Sequence, residues 1–113
     1  MTMILLLKCR SVSETKVFYS ETLGFDVKDG AEGTCTVRMG ESRIIFTNSD
    51  IWQGPPHCTG TIYFFLADVD AYYKQIEHRA SICWPLQTMS YGTHEFGVND
   101  CNDYTLAFAQ QQI

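Results

Sequence analysis

The side chains of this 113-residue chain with types suited to chemistry are three histidines, five cysteines and a set of large aromatics. Imidazole serves as a general base or as a metal ligand when other donors converge on it. Here His57 falls in a proline-rich stretch, His78 stands beside Arg79 on an expected helix, and His94 lies on a separate expected strand, so convergence is not evident. His94 and Glu95 pair an imidazole with a carboxylate, but adjacent strand residues point to opposite faces and do not hold one ion together. The cysteines, at 9, 35, 58, 83 and 101, are odd in number and form no C-x-x-C pair, which speaks against a zinc knuckle or a dithiol redox site. They read as reduced core and surface thiols. What remains is flat apolar surface: Trp52, Tyr63, Phe65, Trp84 and Tyr91, residues suited to stacking on a planar molecule.

Composition narrows the partners. The formal charge is −5, and no basic run or basic-aromatic stripe appears, so the footprint that drives phosphate binding is missing and nucleic acid is not an expected partner. Net negative charge would attract a cationic small molecule, although it also serves solubility alone. The apolar fraction of 45% is enough for a packed core. The apolar opening of residues 1–7 is too short to span a membrane and lacks the features of a signal peptide, so the expected compartment is the cytoplasm and no membrane partner is expected.

The elements that must position these residues repeat. Residues 3–9 read as a buried strand. Ser11 with Glu14 has capping-box spacing, and Phe18, Tyr19 and Leu23 form a helical stripe that Gly24 stops. Strands are expected at 25–28, 34–39 and 43–48. Gly54-Pro55-Pro56 then marks a linker of about residues 50–59. The order returns: a strand at 61–66, a helix at 68–79 capped by Asp68, and strands at 81–84, 93–99 and 104–110. The expected architecture is one α+β domain of residues 1–113, with halves at 1–49 and 60–113. Two tandem βαβββ modules would form a curved mixed sheet around a cleft, with helices on the outer face.

Alternation sorts the strands by face. Leu5, Leu7, Ile44, Phe46, Ile62, Phe64, Leu66, Tyr104, Leu106 and Phe108 belong beneath the helices. Ile4, Leu6, Arg43, Ile45, Thr47, Thr61, Tyr63, Phe65, Thr105, Ala107 and Ala109 face the other way. On that second face small residues at Thr61, Thr105 and Ala107 leave space beside Tyr63 and Phe65.

The run Phe18-Tyr19 to Leu23-Gly24-Phe25, with Tyr63 to Tyr73, Gly92 to Asp100 and Tyr104 to Gln110, resembles the vicinal oxygen chelate superfamily, which includes glyoxalase I, extradiol dioxygenases and bleomycin resistance proteins. The resemblance covers nearly the whole chain. Enzymes of that superfamily hold a divalent metal with His, Gln or Glu on the first and last strands of each half. The matching positions here are Ile4, Ile45, Thr61 and Ala107, none of which supplies a carboxylate or imidazole, so neither a metal nor another cofactor is expected. Where relatives often carry Arg this chain has His94, and the turn after Val98 reads Asp100-Cys101-Asn102-Asp103 instead of the usual Asp-Pro-Asp-Gly type.

The resemblance therefore implies a binding protein of the bleomycin resistance type and no catalytic residue. It would sequester an aromatic compound such as an antibiotic, with a cationic one favoured by charge. Tyr63 and Phe65 would be stacking walls, Thr47 and Thr61 hydrogen-bonding groups, and Trp52 and Trp84 a lid. Ile45, Tyr91, His94 and Ala107 complete the expected site. A homodimer is implied by relatives and by bare sheet edges. The alternatives are a metal-dependent lyase or dioxygenase with an atypical site near His94 and Glu95, and a structural dimer or partner-binding domain with a filled cleft. Elemental analysis of the purified protein is expected to find zinc, nickel, iron and manganese well below one equivalent; a stoichiometric metal would overturn the reading of the four strand positions.

Overall fold

The computed structural model describes residues 2–111. The chain divides into two compact units, Met1–His57 and Cys58–Ile113, and the division falls inside the expected linker. The first unit runs β1 (Leu5–Lys8), α1 (Val12–Val17), a π-helical turn (Phe18–Thr22), β2 (Asp26–Asp29), β3 (Thr34–Met39) and β4 (Ser42–Thr47). The second runs β5 (Thr61–Phe65), α2 (Val69–Ile76), β6 (Ser81–Thr88), β7 (Thr93–Asn99) and β8 (Thr105–Gln111). Each unit holds a four-stranded sheet, ordered β1-β4-β3-β2 and β5-β8-β7-β6. In each, the first strand lies parallel to the last and the other pairings are antiparallel. This is an α+β fold of two repeated βαβββ modules.

Local chemistry places both helices. Ser11 Oγ accepts the Glu14 amide at 3.2 Å, and Asp68 Oδ1 accepts the Ala71 amide at 3.1 Å, so each helix begins where a side-chain oxygen satisfies a free N–H. The Val69 amide donates to Gln110 Oε1 at 2.9 Å, which ties the start of α2 to β8. The first helix departs from the expected regular form. Its last turn widens, with the Leu23 amide reaching the Phe18 carbonyl at 3.2 Å and the Phe25 amide reaching that of Tyr19 at 2.8 Å. The extra residue per turn leaves Tyr19 and Leu23 both fully buried, and Gly24, at φ 76°, reverses the chain into β2.

Each core is the helix-side set of its sheet. In the first unit Tyr19 packs on Phe25 and Phe46, with ring centroids 5.2 Å away in both cases. In the second, Tyr72 and Tyr73 of α2 meet Phe96 at 6.1 and 4.8 Å, and Phe96 stacks on Phe108 at 5.4 Å. Phe64 stacks on the other side of Phe108 at 5.3 Å. Cys9 and Cys35 are buried, while Cys58, Cys83 and Cys101 are exposed. Burial pushes the Cys35 thiol up to about 11, which keeps it protonated and inert.

One strand runs past its expected end. The strand beginning at Ser81 continues through Pro85 to Thr88, because register shifts between Ile82 and Trp84, and again between Trp84 and Gln87, accommodate the proline on this edge strand. The turn after β7 closes on Asp100, whose Oδ1 accepts the amides of Asn102 and Tyr104 at 2.9 and 2.8 Å, with Asp103 at φ 67°. Phe96 has no exposed surface and touches three aromatic rings. Phe96→Ala is expected to lower unfolding free energy by roughly 3–5 kcal/mol, measured by urea denaturation.

Candidate functional site

The face of the second sheet turned away from α2 is built by register. Phe96 and Phe108 point to the helix, so Glu95 and Gly97 on β7, and Ala107 and Ala109 on β8, point to the other side. Across the strands Tyr63 stands opposite Ala107, Ala107 opposite Gly97, and Gly97 opposite Trp84. The neighbouring row reads Phe65, Ala109, Glu95 and Gln87. Two central strands thus contribute almost no side-chain bulk between aromatic residues on the outer strands. A Cβ on Gly97 would come within 2.4 Å of the Trp84 ring, so only glycine lets the indole lie against the sheet. The Trp84 indole N–H is buried and has no hydrogen-bond partner. Tyr63 and Phe65, 43% and 59% exposed, lie with ring centroids 6.1 Å apart.

Beneath these rings sits a carboxylate. Glu95 has no exposed surface. The Tyr63 hydroxyl donates to its Oε2 at 3.0 Å, the Tyr91 hydroxyl to Oε1 at 3.1 Å and the Thr93 hydroxyl to Oε1 at 2.5 Å. The Tyr63 and Tyr91 oxygens are themselves 3.2 Å apart. The Tyr91 hydroxyl, burial and the Glu95 carboxylate together hold the Tyr63 phenol above its ordinary range, so it stays protonated. Three hydroxyl donors take the place of water around the buried charge, and among the described residues no cationic side chain pairs with it.

Of the residues expected to form a site, the second unit brings Tyr63, Phe65, Trp84, Tyr91 and Ala107 onto one face, with Thr61 at the exposed end of β5 opposite Thr105. His94 is a correction. It points to the helix side, where its Nδ1 lies 2.8 Å from the Thr88 hydroxyl and its Nε2 lies 3.3 Å from Asp70 Oδ1. Strand alternation sets it opposite Glu95, so the atypical site imagined around both residues does not form on this strand.

Ile45, Thr47 and Trp52 belong to the first unit. Thr47 is buried and its hydroxyl oxygen accepts the Ser49 amide at 3.1 Å, which commits it to the turn leaving β4. Ile45 is half-buried opposite Leu6 and Thr36. Trp52 is exposed on a loop that Lys8 anchors by pairing with Asp50 at 2.5 Å and by donating to the Gly54 carbonyl. On the same sheet a cavity of about 240 Å³ is lined by Asp26, Lys28, Asp29, Thr36, Arg38 and Arg43. Its charges are partly paired, Arg38 with Asp26 at 3.5 Å and Asp29 with Lys16 at 2.5 Å.

Sequence reasoning passed over Thr93 and Gly97, and weighed Glu95 only with His94 as an atypical metal site. Their signal was period two: they alternate with His94, Phe96 and Val98, so placing Phe96 in the core places them with Tyr63. Metal ligation has no support from the donor set. Thr61 and Ala107 carry no carboxylate or imidazole, nor do Ile4 and Ile45, and no group of three His, Cys, Asp or Glu side chains gathers among the described residues.

This fold is that of the glyoxalase, bleomycin resistance and dioxygenase proteins, the vicinal oxygen chelate superfamily. Among solved structures, the bleomycin-binding protein of Streptomyces verticillus, complexed with copper(II)-bleomycin, superposes with a TM-score of 0.75 at 20% identity, covering 99% of this chain and 97% of that one. A glyoxalase/bleomycin resistance protein/dioxygenase from Alicyclobacillus acidocaldarius gives 0.80 at 18% identity, over 98% and 91% of the two chains. TioX from Micromonospora sp. ML1 gives 0.79 at 16% identity, over 98% of each. No protein-family model matches the sequence, and no curated protein does.

The contact between Trp84 and Gly97 is directly testable. In a Trp52→Phe background, Gly97→Ala is expected to push the indole off the sheet and shift tryptophan emission to longer wavelength. An unchanged spectrum would show that the ring does not rest there.

Proposed function

We propose that this chain is a metal-free small-molecule binding protein of the bleomycin resistance type, which sequesters a planar aromatic compound, an antibiotic among the candidates, without transforming it. The observation that carries this reading is the pair of exposed rings Tyr63 and Phe65, with centroids 6.1 Å apart, beside the exposed Tyr91 whose hydroxyl lies 3.2 Å from that of Tyr63. Exposed aromatic rings grouped on one face are surfaces on which a planar guest can stack. Tyr63, Phe65, Trp84 and Tyr91 are the binding residues of this unit, with Thr61 and Ala107 at its floor. The likeness of fold to a bleomycin-binding protein supports the ligand class. The residues at the four positions where relatives place metal ligands support binding over catalysis.

Homodimerisation and a cytoplasmic location belong to the same proposal. The first has support in the exposed apolar residues Ile4, Leu6, Tyr63 and Phe65. For the second, no helix among the described residues is long and apolar enough to cross a membrane.

Thermal denaturation with bleomycin and a panel of planar aromatic drugs tests the reading. A compound present at a hundred times its Kd is expected to stabilise the folded chain by about 2.7 kcal/mol and raise Tm accordingly. Trp84→Ala should reduce that shift while leaving the circular dichroism spectrum unchanged. Absence of any shift across bleomycin and the panel would favour a structural domain whose face is filled.

A further inference from the structure

The proton inventory around Glu95 shows what the aromatic face offers a ligand. A carboxylate has about four lone-pair positions and no proton to donate, so each hydroxyl touching it must spend its single proton there. Tyr63, Tyr91 and Thr93 all do so. The two phenol oxygens lie 3.2 Å apart, and with both protons directed at Glu95 neither has one left for the other. Both oxygens therefore present lone pairs, and they do so on side chains 43% and 62% exposed. Glu95 behind them polarises both O–H bonds and leaves Oε2 with one close donor, Tyr63 at 3.0 Å, and one lone pair to spare.

This is a pair of accessible acceptors backed by a buried negative charge, with aromatic rings at its edge. An anionic ligand is repelled by it, and a neutral donor gains only an uncharged hydrogen bond. A group that brings positive charge and N–H donors gains hydrogen bonds to the phenol oxygens, attraction to the carboxylate and cation–π contact with Tyr63 or Phe65. The ligand would also supply the missing counter-charge for Glu95, which the hydroxyls solvate but do not neutralise.

We propose that Tyr63, Tyr91 and Glu95 form a recognition site for a protonated amine or amidinium carried by the aromatic ligand, with Glu95 the residue that selects for charge. This rests on the binding reading above and adds a specificity to it. Thr93 acts through Glu95 as a positioning residue, since its hydroxyl is buried against the carboxylate and cannot reach a guest.

The test pairs two probes with one ring system, 9-aminoacridine, a cation at mildly alkaline pH, and acridine, neutral under the same conditions. Fluorescence titration and calorimetry give both affinities for the wild-type protein, Glu95→Gln and Tyr91→Phe. The wild type is expected to prefer the cation by about tenfold or more. Glu95→Gln, which keeps size and loses charge, should abolish most of that preference, its loss falling mainly on the cation. Tyr91→Phe, which keeps the ring at an exposed position and removes the hydroxyl, should weaken the cation more than acridine and reduce the preference by less. Equal affinity of the wild type for both probes would overturn the charge-selective site while leaving aromatic binding in place. Equal weakening of both probes by Glu95→Gln, with Tyr91→Phe silent, would make Glu95 a structural group and also overturn it. Failure of both probes to bind would remove the aromatic-binding reading and this inference with it.

Discussion

Each sheet carries its helix on one side only, and alternation along the strands turns that asymmetry into two chemically different surfaces. In the second unit the side facing α2 is a dense stack of aromatic rings, from Phe64 through Phe108 and Phe96 to Tyr72 and Tyr73. A one-residue slip of β7 against β8 would exchange Phe96 for Glu95 and bring a carboxylate into that stack. Burial of Phe96 therefore holds the register, and the register holds the opposite face. The residues of that face are positioned by the core they do not belong to.

That opposite face depends as much on missing side chains as on those present. Ala107 and Gly97 stand side by side on the two central strands, both buried, and the small size of Gly97 is what lets the Trp84 indole lie against the sheet. At Thr61 and Ala107 the face carries neither a carboxylate nor an imidazole.

Glu95 gives this surface a polar element without a metal. A buried carboxylate is tolerated when hydrogen-bond donors surround it, and the three hydroxyls that do so come from β5, β7 and the hairpin before β7. The network thus ties the ring of Tyr63 to that of Tyr91 while it solvates the charge. In His94 the same strand sends an imidazole to the other side, where Asp70 and Thr88 engage it as part of the contact between α2 and the sheet. Neighbours in sequence end in separate chemistry.

Much of this was legible in the residue order. Periodicity, the caps Ser11 and Asp68, Gly24 and the proline linker determined the number, order and kind of elements, because each depends on backbone preferences that act within a few residues. The parity of Tyr63, Phe65 and Ala107 followed from the same local rule. The sequence could not show which residues stand opposite one another across strands, since register is settled by packing over dozens of residues. Only tertiary structure set Trp84 on Gly97, carried β6 past Pro85 by shifting its register, widened α1 into a π turn, and gathered Tyr63, Tyr91 and Thr93 on Glu95. A carboxylate flanked by His94 and Phe96 looks like an ordinary strand residue until its burial is known, and burial is a property of the folded chain.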